Sequence, residues 1–249
     1  MQESKRLKKR SASGGLKAVL FDIDDTLYST SEFAARARRN SVSAMIKTGL
    51  RLPHPLVMKE LVEVINEFSS NYEHHFDKLL LRLPRNSYRT VNPIVLVASA
   101  VIAYHETKFK ELVPFADVPS VLKKIAQTRL TLGIISAGLE IKQSEKLIRL
   151  KLYKFFHPKA IFISDQIGIN KPNPKLYRRV CADLKINPSQ VMYIGDNPVS
   201  DIDPANQIGM ITVLVRRKGK HYQEAGLSRP DYVINNFQEL WTILKKEYL

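Results

Sequence analysis

The stretch "KAVLFDIDDTLYST", Lys17 to Thr30, decides how the rest of the chain is interpreted. Its apolar residues Ala18 to Phe21 are followed at once by aspartates at positions 22, 24 and 25. An unbroken apolar run is typical of a strand covered on both faces, as in a parallel sheet. Two carboxylates about 4 Å apart repel by roughly 4 kcal/mol at an effective dielectric near 20. We therefore expect either that these carboxylates turn into water or that a cation lies among them.

Later apolar runs alternate with segments of helical periodicity. The runs are TLGIIS (131–136), AIFIS (160–164), VMYIG (191–195) and ITVLV (211–215). Segments such as PSVLKKIAQ and PKLYRRVCADL lie between them and carry the apolar spacing of amphipathic helices. Strands that alternate with helices predict a doubly wound, Rossmann-like α/β core with a parallel sheet.

One interval interrupts this alternation. From about residue 28 to residue 112 the apolar spacing is helical, and its longest apolar run, Ile94 to Tyr104, has about half of the ~20 residues that a membrane crossing needs. We expect an all-helical cap, residues 28–112, inserted after the first strand. It would stand over the carboxyl ends of the strands, where open α/β sheets bind ligands. The catalytic core would then comprise residues 16–27 and 113–249.

Composition narrows the classes of function. The 249 residues carry a formal charge of +15, which favours anionic partners without choosing between nucleic acid and a small phosphate ester. The basic leader, residues 1–15, lacks the apolar stretch of a secretory signal and is expected to be disordered. Because Cys181 is the single cysteine, an internal disulfide is excluded and a cytoplasmic location is favoured. The oligomeric state stays open.

Polar side chains follow four of the predicted strands. They are Asp22, Asp24, Asp25 and Thr26 after the first, Ser136 at the end of the second, Lys171 after the third, and Asp196 and Asp201 after the fourth. The carboxyl ends of parallel neighbours meet at one edge of the sheet, so these groups should converge. A set of carboxylates with an ammonium and a hydroxyl suits the binding of a hard cation together with an oxyanion. Mg²⁺ prefers a few carboxylates plus substrate phosphate.

The pattern resembles the haloacid dehalogenase-like (HAD) superfamily of hydrolases. DIDDT, a strand that ends in Ser136, Lys171 before Pro172, and GDNPVSD stand in the order of that family's four motifs. The resemblance covers about residues 17 to 245 and is closest to the small-molecule phosphatases with a type 1 helical cap. It implies a Mg²⁺-dependent phosphatase of a small phosphorylated metabolite, with a triose or similarly short phosphate favoured.

The resemblance also implies roles for individual residues. Asp22 would be the nucleophile that forms an aspartyl-phosphate, and Asp24 the general acid and base, oriented by Thr26. Ser136 would hold a phosphoryl oxygen, and Lys171 would neutralise the nucleophile and the transferred group.

For the metal, the resemblance implies Asp22, the Asp24 main-chain carbonyl and Asp196 as ligands of Mg²⁺, with Asp201 acting through water. Asp25 stands where the family often has glycine. We assign it a turn or capping role and no chemistry.

Other functions fit parts of the sequence. A 2-haloacid dehalogenase needs neither the metal nor an acid at position 24. The presence of Asp24 and Asp196 therefore argues against that activity. A phosphosugar mutase can share every motif, and a nucleotidase could use the same scaffold. A non-catalytic, basic RNA-binding protein is the alternative from a different class, and salt-sensitive RNA binding would distinguish it.

Overall fold

The computed structural model describes residues 15–69, 72–217, 219 and 221–249. The chain divides into two compact units. The first runs to Thr30 and resumes at Val113, and the second spans Ser31–Leu112. The predicted disordered leader lies outside the described residues, apart from Gly15.

The first unit is built on a parallel sheet, which has six strands within the described residues and the order β3-β2-β1-β4-β5-β6. The strands are β1 (Ala18–Phe21), β2 (Thr131–Ser136), β3 (Ile161–Ile163), β4 (Val191–Gly195), β5 (Ile211–Val215) and β6 (Tyr232–Ile234). All described pairings in this sheet are parallel. The predicted doubly wound α/β class is confirmed.

The central position of β1 follows from its composition. Its four residues are fully buried between β2 and β4, since Phe21 lies opposite Ile134 on one side and Ile194 on the other. A strand covered on both faces needs no polar alternation, which explains the unbroken apolar run. The strand β6 was not predicted because its apolar stretch, Tyr232 to Ile234, is only three residues long in the sequence, and Val233 within it is exposed.

The regular secondary structure of the second unit is all helical among its described residues. Its helices are α1 (Thr30–Thr48), α2 (His54–Phe68), α3 (His75–Arg82) and α4 (Pro93–Glu111), the first of which begins one residue before the unit does. They bury a separate apolar cluster that includes Met45, Leu61, Leu79 and Leu96. The unit starts at Ser31 rather than at residue 28, because Tyr28 is buried in the first unit, where its hydroxyl donates to Asp24.

Helices complete the first unit between and after the strands. They are α5 (Val118–Ala126), α6 (Glu140–Arg149), α7 (Ser164–Ile167), α8 (Pro174–Leu184), α9 (Asp203–Gln207) and α10 (Phe237–Glu247). Against one face of the sheet, Tyr177 and Cys181 of α8 pack with Ala18 and Tyr193. Within the described part of the chain, no helix has both the length and the apolar character that a membrane crossing requires.

Candidate active site

The carboxyl ends of β1 and β4 bring three aspartates together. Asp22 directly follows β1, and its backbone N–H donates to the Ile194 carbonyl of β4 at 2.9 Å. Asp196 directly follows β4. Asp22, Asp196 and Asp201 can each offer a carboxylate oxygen such that all three oxygens lie within 4.8 Å of one another. These residues come from distant parts of the sequence and meet because β1 and β4 are parallel neighbours.

Lys171 lies among these carboxylates. Its side chain is 3% exposed. Its ammonium donates to Asp22 Oδ1 at 2.5 Å, to Asp201 Oδ1 at 2.8 Å and to the Tyr193 hydroxyl at 2.7 Å. The ion pair is thus fully hydrogen-bonded, as a buried charge requires.

A turn after β4 directs Asp201 back toward the sheet. The Asn197 side chain accepts hydrogen bonds from the N–H groups of Val199 and Ser200, and Asn197 N–H donates to Asp201 Oδ2 at 3.1 Å. The last residue of β4 is Gly195, where a Cβ would collide with the Asp201 carboxylate. This close approach explains why glycine, the residue without a side chain, stands at the end of β4.

The charges of the cluster do not balance. Burial raises the pKa of Asp22 to about 7, since the lowering effect of Lys171 is opposed by Asp201 and Asp24. Burial together with Asp201 and Asp22 raises the pKa of Asp196 to about 9. For Lys171, burial opposes the charge, but Asp201 and Asp22 raise its pKa above the ordinary value. One ammonium is therefore not enough to keep both Asp22 and Asp196 fully ionised at neutral pH, and the oxygen donors suit a further hard cation.

Tyr193 also belongs to the site, although no motif in the sequence marks it. It is fully buried in β4, and its hydroxyl lies 3.1 Å from Asp201 Oδ1 and 3.1 Å from the Ile135 carbonyl oxygen. Burial raises its pKa well above the ordinary tyrosine value, so it is a neutral hydroxyl. The available signal was a tyrosine inside a buried strand, because such a hydroxyl needs a polar partner.

Asp24 lies in a different set of contacts. Lys146 Nζ is 2.7 Å from both of its carboxylate oxygens, and Gln143 Nε2 donates to Oδ2 at 3.1 Å. The hydroxyls of Tyr28 and Thr30 donate to Oδ1 at 2.5 Å and 3.1 Å. Burial opposes ionisation, but the Lys146 charge and the hydrogen bonds from Lys146, Tyr28 and Gln143 lower the pKa of Asp24 below its usual value. The residue is therefore a carboxylate at rest.

The hydroxyl of Thr26 does not take the predicted position. Thr26 is fully buried, and its Oγ1 has no hydrogen-bond partner among the described residues. The expected bond from Thr26 to Asp24 is thus wrong for this structure, since the hydroxyls that contact Asp24 are those of Tyr28 and Thr30.

Ser136 and Asp25 complete the set of predicted residues. Ser136 ends β2 beside β1, is buried, and has an Oγ without a hydrogen-bond partner in the described part of the chain. Asp25 has a positive φ of 54°, and its Oδ1 accepts from the N–H of Thr30, the first residue of α1, at 2.9 Å. Asp25 therefore shapes the turn into α1, whereas Ser136 retains a free donor.

Comparisons with known proteins agree on one family. The family model described as haloacid dehalogenase-like hydrolase matches residues 19–215. A glyceraldehyde 3-phosphate phosphatase from Methanopyrus kandleri is 42% identical over 237 residues, which cover 93% of this chain and 98% of that protein. A protein of the same name from Pyrococcus furiosus is 38% identical over 235 residues, covering 93% of this chain and 94% of that protein.

A solved structure extends the likeness to the fold. The crystal structure of a HAD phosphatase from Thermococcus onnurineus has a TM-score of 0.65 and 21% sequence identity, and the match covers 94% of this chain and all of that one. At this identity the likeness supports the shared architecture alone.

Proposed function

The chain belongs to the haloacid dehalogenase-like hydrolase family and is a phosphatase of small phosphorylated metabolites, and we propose glyceraldehyde 3-phosphate, or an ester of similar size, as its substrate. The observation that carries the catalytic proposal is the contact of Lys171 with both Asp22 and Asp201. The carboxylate oxygens of these two aspartates also lie within 4.8 Å of one from Asp196. A carboxylate beside a buried ammonium at the edge of a parallel sheet suits a nucleophile for phosphorus.

We propose Mg²⁺ as the cofactor. The donor set fits it, because three carboxylates can offer oxygens within 4.8 Å of one another, and burial together with neighbouring negative charge raises the pKa values of Asp22 and Asp196. Asp22, Asp196 and the main-chain carbonyl of Asp24 would hold the ion, and Asp201 would hold its waters. When bound, Mg²⁺ would neutralise charge on the carboxylates and on the phosphoryl oxygens.

The reaction would proceed in two displacements at phosphorus. In the first, an oxygen of Asp22 bonds to phosphorus while the ester P–O bond breaks, and Asp24 in its protonated form gives its proton to the departing alkoxide. In the second, a water oxygen bonds to phosphorus while the bond between phosphorus and the Asp22 oxygen breaks, a water proton passes to the Asp24 carboxylate, and inorganic phosphate leaves with the Asp22 carboxylate restored. Because Asp24 is a carboxylate in the substrate-free protein, it would take up a proton before the first step, and that step returns it to the carboxylate that the second step requires.

Ser136 and Lys171 would stabilise the transferred group. The Ser136 hydroxyl is buried and unpaired among the described residues, so it can donate to a phosphoryl oxygen without losing another bond. The Lys171 ammonium contacts Asp22 and would therefore lie beside the negative charge of Asp22 and of the phosphoryl group that Asp22 receives. Phosphoryl transfer depends mainly on such positioning and charge stabilisation.

A panel of phosphate esters tests the proposal. Triose phosphates, phosphoglycolate, hexose phosphates and nucleoside monophosphates are each incubated with the protein in Mg²⁺ or in EDTA, and released phosphate is measured. We expect turnover in Mg²⁺, with glyceraldehyde 3-phosphate among the best substrates, and its loss in EDTA and in Asp22→Asn. Isomerised sugar phosphate without phosphate release would indicate a mutase instead, and preference for nucleoside monophosphates a nucleotidase.

We also propose the cytoplasm as the location. The buried single thiol of Cys181 and a substrate class of small phosphorylated metabolites support it.

A further inference from the structure

Helix α6 connects two parts of the site. It begins at Glu140, a few residues after Ser136 ends β2. Gln143 and Lys146 lie on the same face of α6, since residues three apart in a helix are neighbours. Gln143 Nε2 donates to the Ala137 carbonyl at 2.5 Å as well as to Asp24 at 3.1 Å. Helix α6 therefore contacts both the turn after Ser136 and the carboxylate of Asp24.

The contact between Lys146 and Asp24 restrains both side chains. Lys146 Nζ lies 2.7 Å from each carboxylate oxygen, and the two side chains are 19% and 32% exposed. The same ammonium lies 5.9 Å from the centroid of the Tyr28 ring, whose hydroxyl donates to Asp24. Rotation of the carboxylate would break its contacts with Lys146 and Gln143 together.

We propose that Lys146, assisted by Gln143, is a positioning residue that fixes the carboxylate of Asp24 for proton transfer during phosphoryl transfer. The inference rests on the proposed function of Asp24. Lys146 acts through Asp24 rather than on the substrate, so its loss lowers kcat and leaves KM nearly unchanged. If Lys146 bound the substrate, its loss would instead raise KM. If Lys146 supported only the fold, its loss would lower the melting temperature without a specific effect on kcat.

The test removes the ammonium and keeps most of the aliphatic stem. With p-nitrophenyl phosphate and Mg²⁺, we expect Lys146→Met to lower kcat by about 10- to 100-fold, within the range that a positioned acid or base contributes. KM should change by less than about threefold, because the substrate contacts are retained. Lys146→Arg, which keeps a cationic donor, should recover part of kcat. Lys123→Met on α5, an exposed lysine, serves as the matched control and should behave as wild type.

A double-mutant cycle separates action through Asp24 from other effects. If Lys146 acts through Asp24, Lys146→Met changes the residual rate of Asp24→Asn by less than about twofold, because the group that it positions is already disabled. Single-turnover conditions with excess enzyme make that residual rate measurable. If Lys146→Met does not fold by circular dichroism, Lys146→Gln goes through the same cycle.

The outcomes distinguish this inference from the proposed function. A wild-type protein that hydrolyses no phosphate ester would overturn the proposed function itself. An active wild type with an equally active Lys146→Met would overturn the inference alone. So would a full kcat loss in the Asp24→Asn background, since Lys146 would then act on something other than Asp24.

Discussion

The ammonium of Lys171 lies 2.5 Å from Oδ1 of Asp22, although 149 residues separate the two along the chain. The same ammonium also contacts Asp201 at 2.8 Å, so one cation is shared by two buried carboxylates. Asp196 lies within reach of the same pair and adds negative charge. The residues proposed for catalysis are therefore also the ones that set the local charge balance, so activity and stability can be measured in the same variants.

Lys171→Met should damage stability and activity together. Removal of one partner from a buried ion pair leaves uncompensated charge and costs about 3–5 kcal/mol in the free energy of unfolding. The rate should fall by at least about 10²- to 10³-fold, as for the loss of one strong transition-state donor. Denaturant unfolding and phosphate release measure the two effects, with the exposed Lys175→Met as the control. Near wild-type stability in EDTA would contradict the buried pairing.

Asp196→Asn should distinguish the contribution of Asp196 to metal binding from its effect on the stability of the metal-free fold. With its pKa near 9, Asp196 must be mostly neutral at pH 7 in the folded protein without a cation, whereas it is ionised in the unfolded chain. Asparagine is neutral in both states, so in EDTA we expect a stability gain on the order of 1 kcal/mol, about 2–4 °C in Tm for a chain of this size.

Mg²⁺ should have the opposite effect on the same pair of proteins. It should raise the Tm of the wild type, because an ion that binds only the folded state stabilises it, and raise the Tm of Asp196→Asn much less. Differential scanning calorimetry in EDTA and over a Mg²⁺ series measures both, with the exposed Asp183→Asn as the control. An equal Mg²⁺ response in variant and wild type would remove Asp196 from the proposed ligands.

The sheet and the acidic cluster could be predicted because they depend on local pattern and topology. Unbroken apolar runs mark buried parallel strands, and the ends of such strands converge whatever the details of packing. The meeting of Asp22, Lys171 and Asp201 follows from that rule. The edge strand β6 escaped prediction because three residues with one exposed valine carry little periodicity.

The partners of Asp24 could not be predicted from the same rules. Gln143 and Lys146 reach it from a helix about 120 residues away, and their spacing in the sequence is that of any amphipathic helix. The family resemblance implies the orienting contact for Thr26, but in the structure the hydroxyls of Tyr28 and Thr30 donate to Asp24 instead. Side-chain direction within a tight turn depends on dihedral angles that a motif does not specify.

Thr26→Val tests whether the threonine hydroxyl matters. Its Oγ1 is buried without a partner among the described residues, and an unsatisfied buried hydroxyl costs roughly 1–3 kcal/mol. Valine has nearly the same shape, so Tm should be unchanged or higher and kcat should stay within about twofold of wild type, as thermal unfolding and phosphate release would report. Thr30→Val, which removes a hydroxyl that contacts Asp24, should lower kcat more. A large kcat loss in Thr26→Val alone would restore the predicted orienting role.

Asp117 should stabilise the core in a pH-dependent way. It precedes α5, accepts from Arg217 at 2.8 Å and 3.0 Å, and accepts from the backbone N–H of Phe237 at the start of α10. Arg217 also lies over the Phe115 ring, with its Cζ 3.9 Å from the centroid. Although burial opposes ionisation, the bonds from Arg217 and Phe237 lower the pKa of Asp117 below its usual 3.8.

Asp117→Asn should therefore destabilise the protein at neutral pH by about 2 kcal/mol, the loss of a charged hydrogen-bond acceptor. A carboxyl whose pKa is lowered by folding stabilises fully above its unfolded pKa and loses that contribution as pH falls through the folded value. The stability gap between wild type and variant should thus be constant from pH 7 to about the usual 3.8 and shrink below it. Urea unfolding across this pH range measures the gap. Asp183→Asn, which breaks an exposed pair with Arg179, should show a gap of less than about 1 kcal/mol at every pH, and an equally small gap for Asp117→Asn would contradict the prediction.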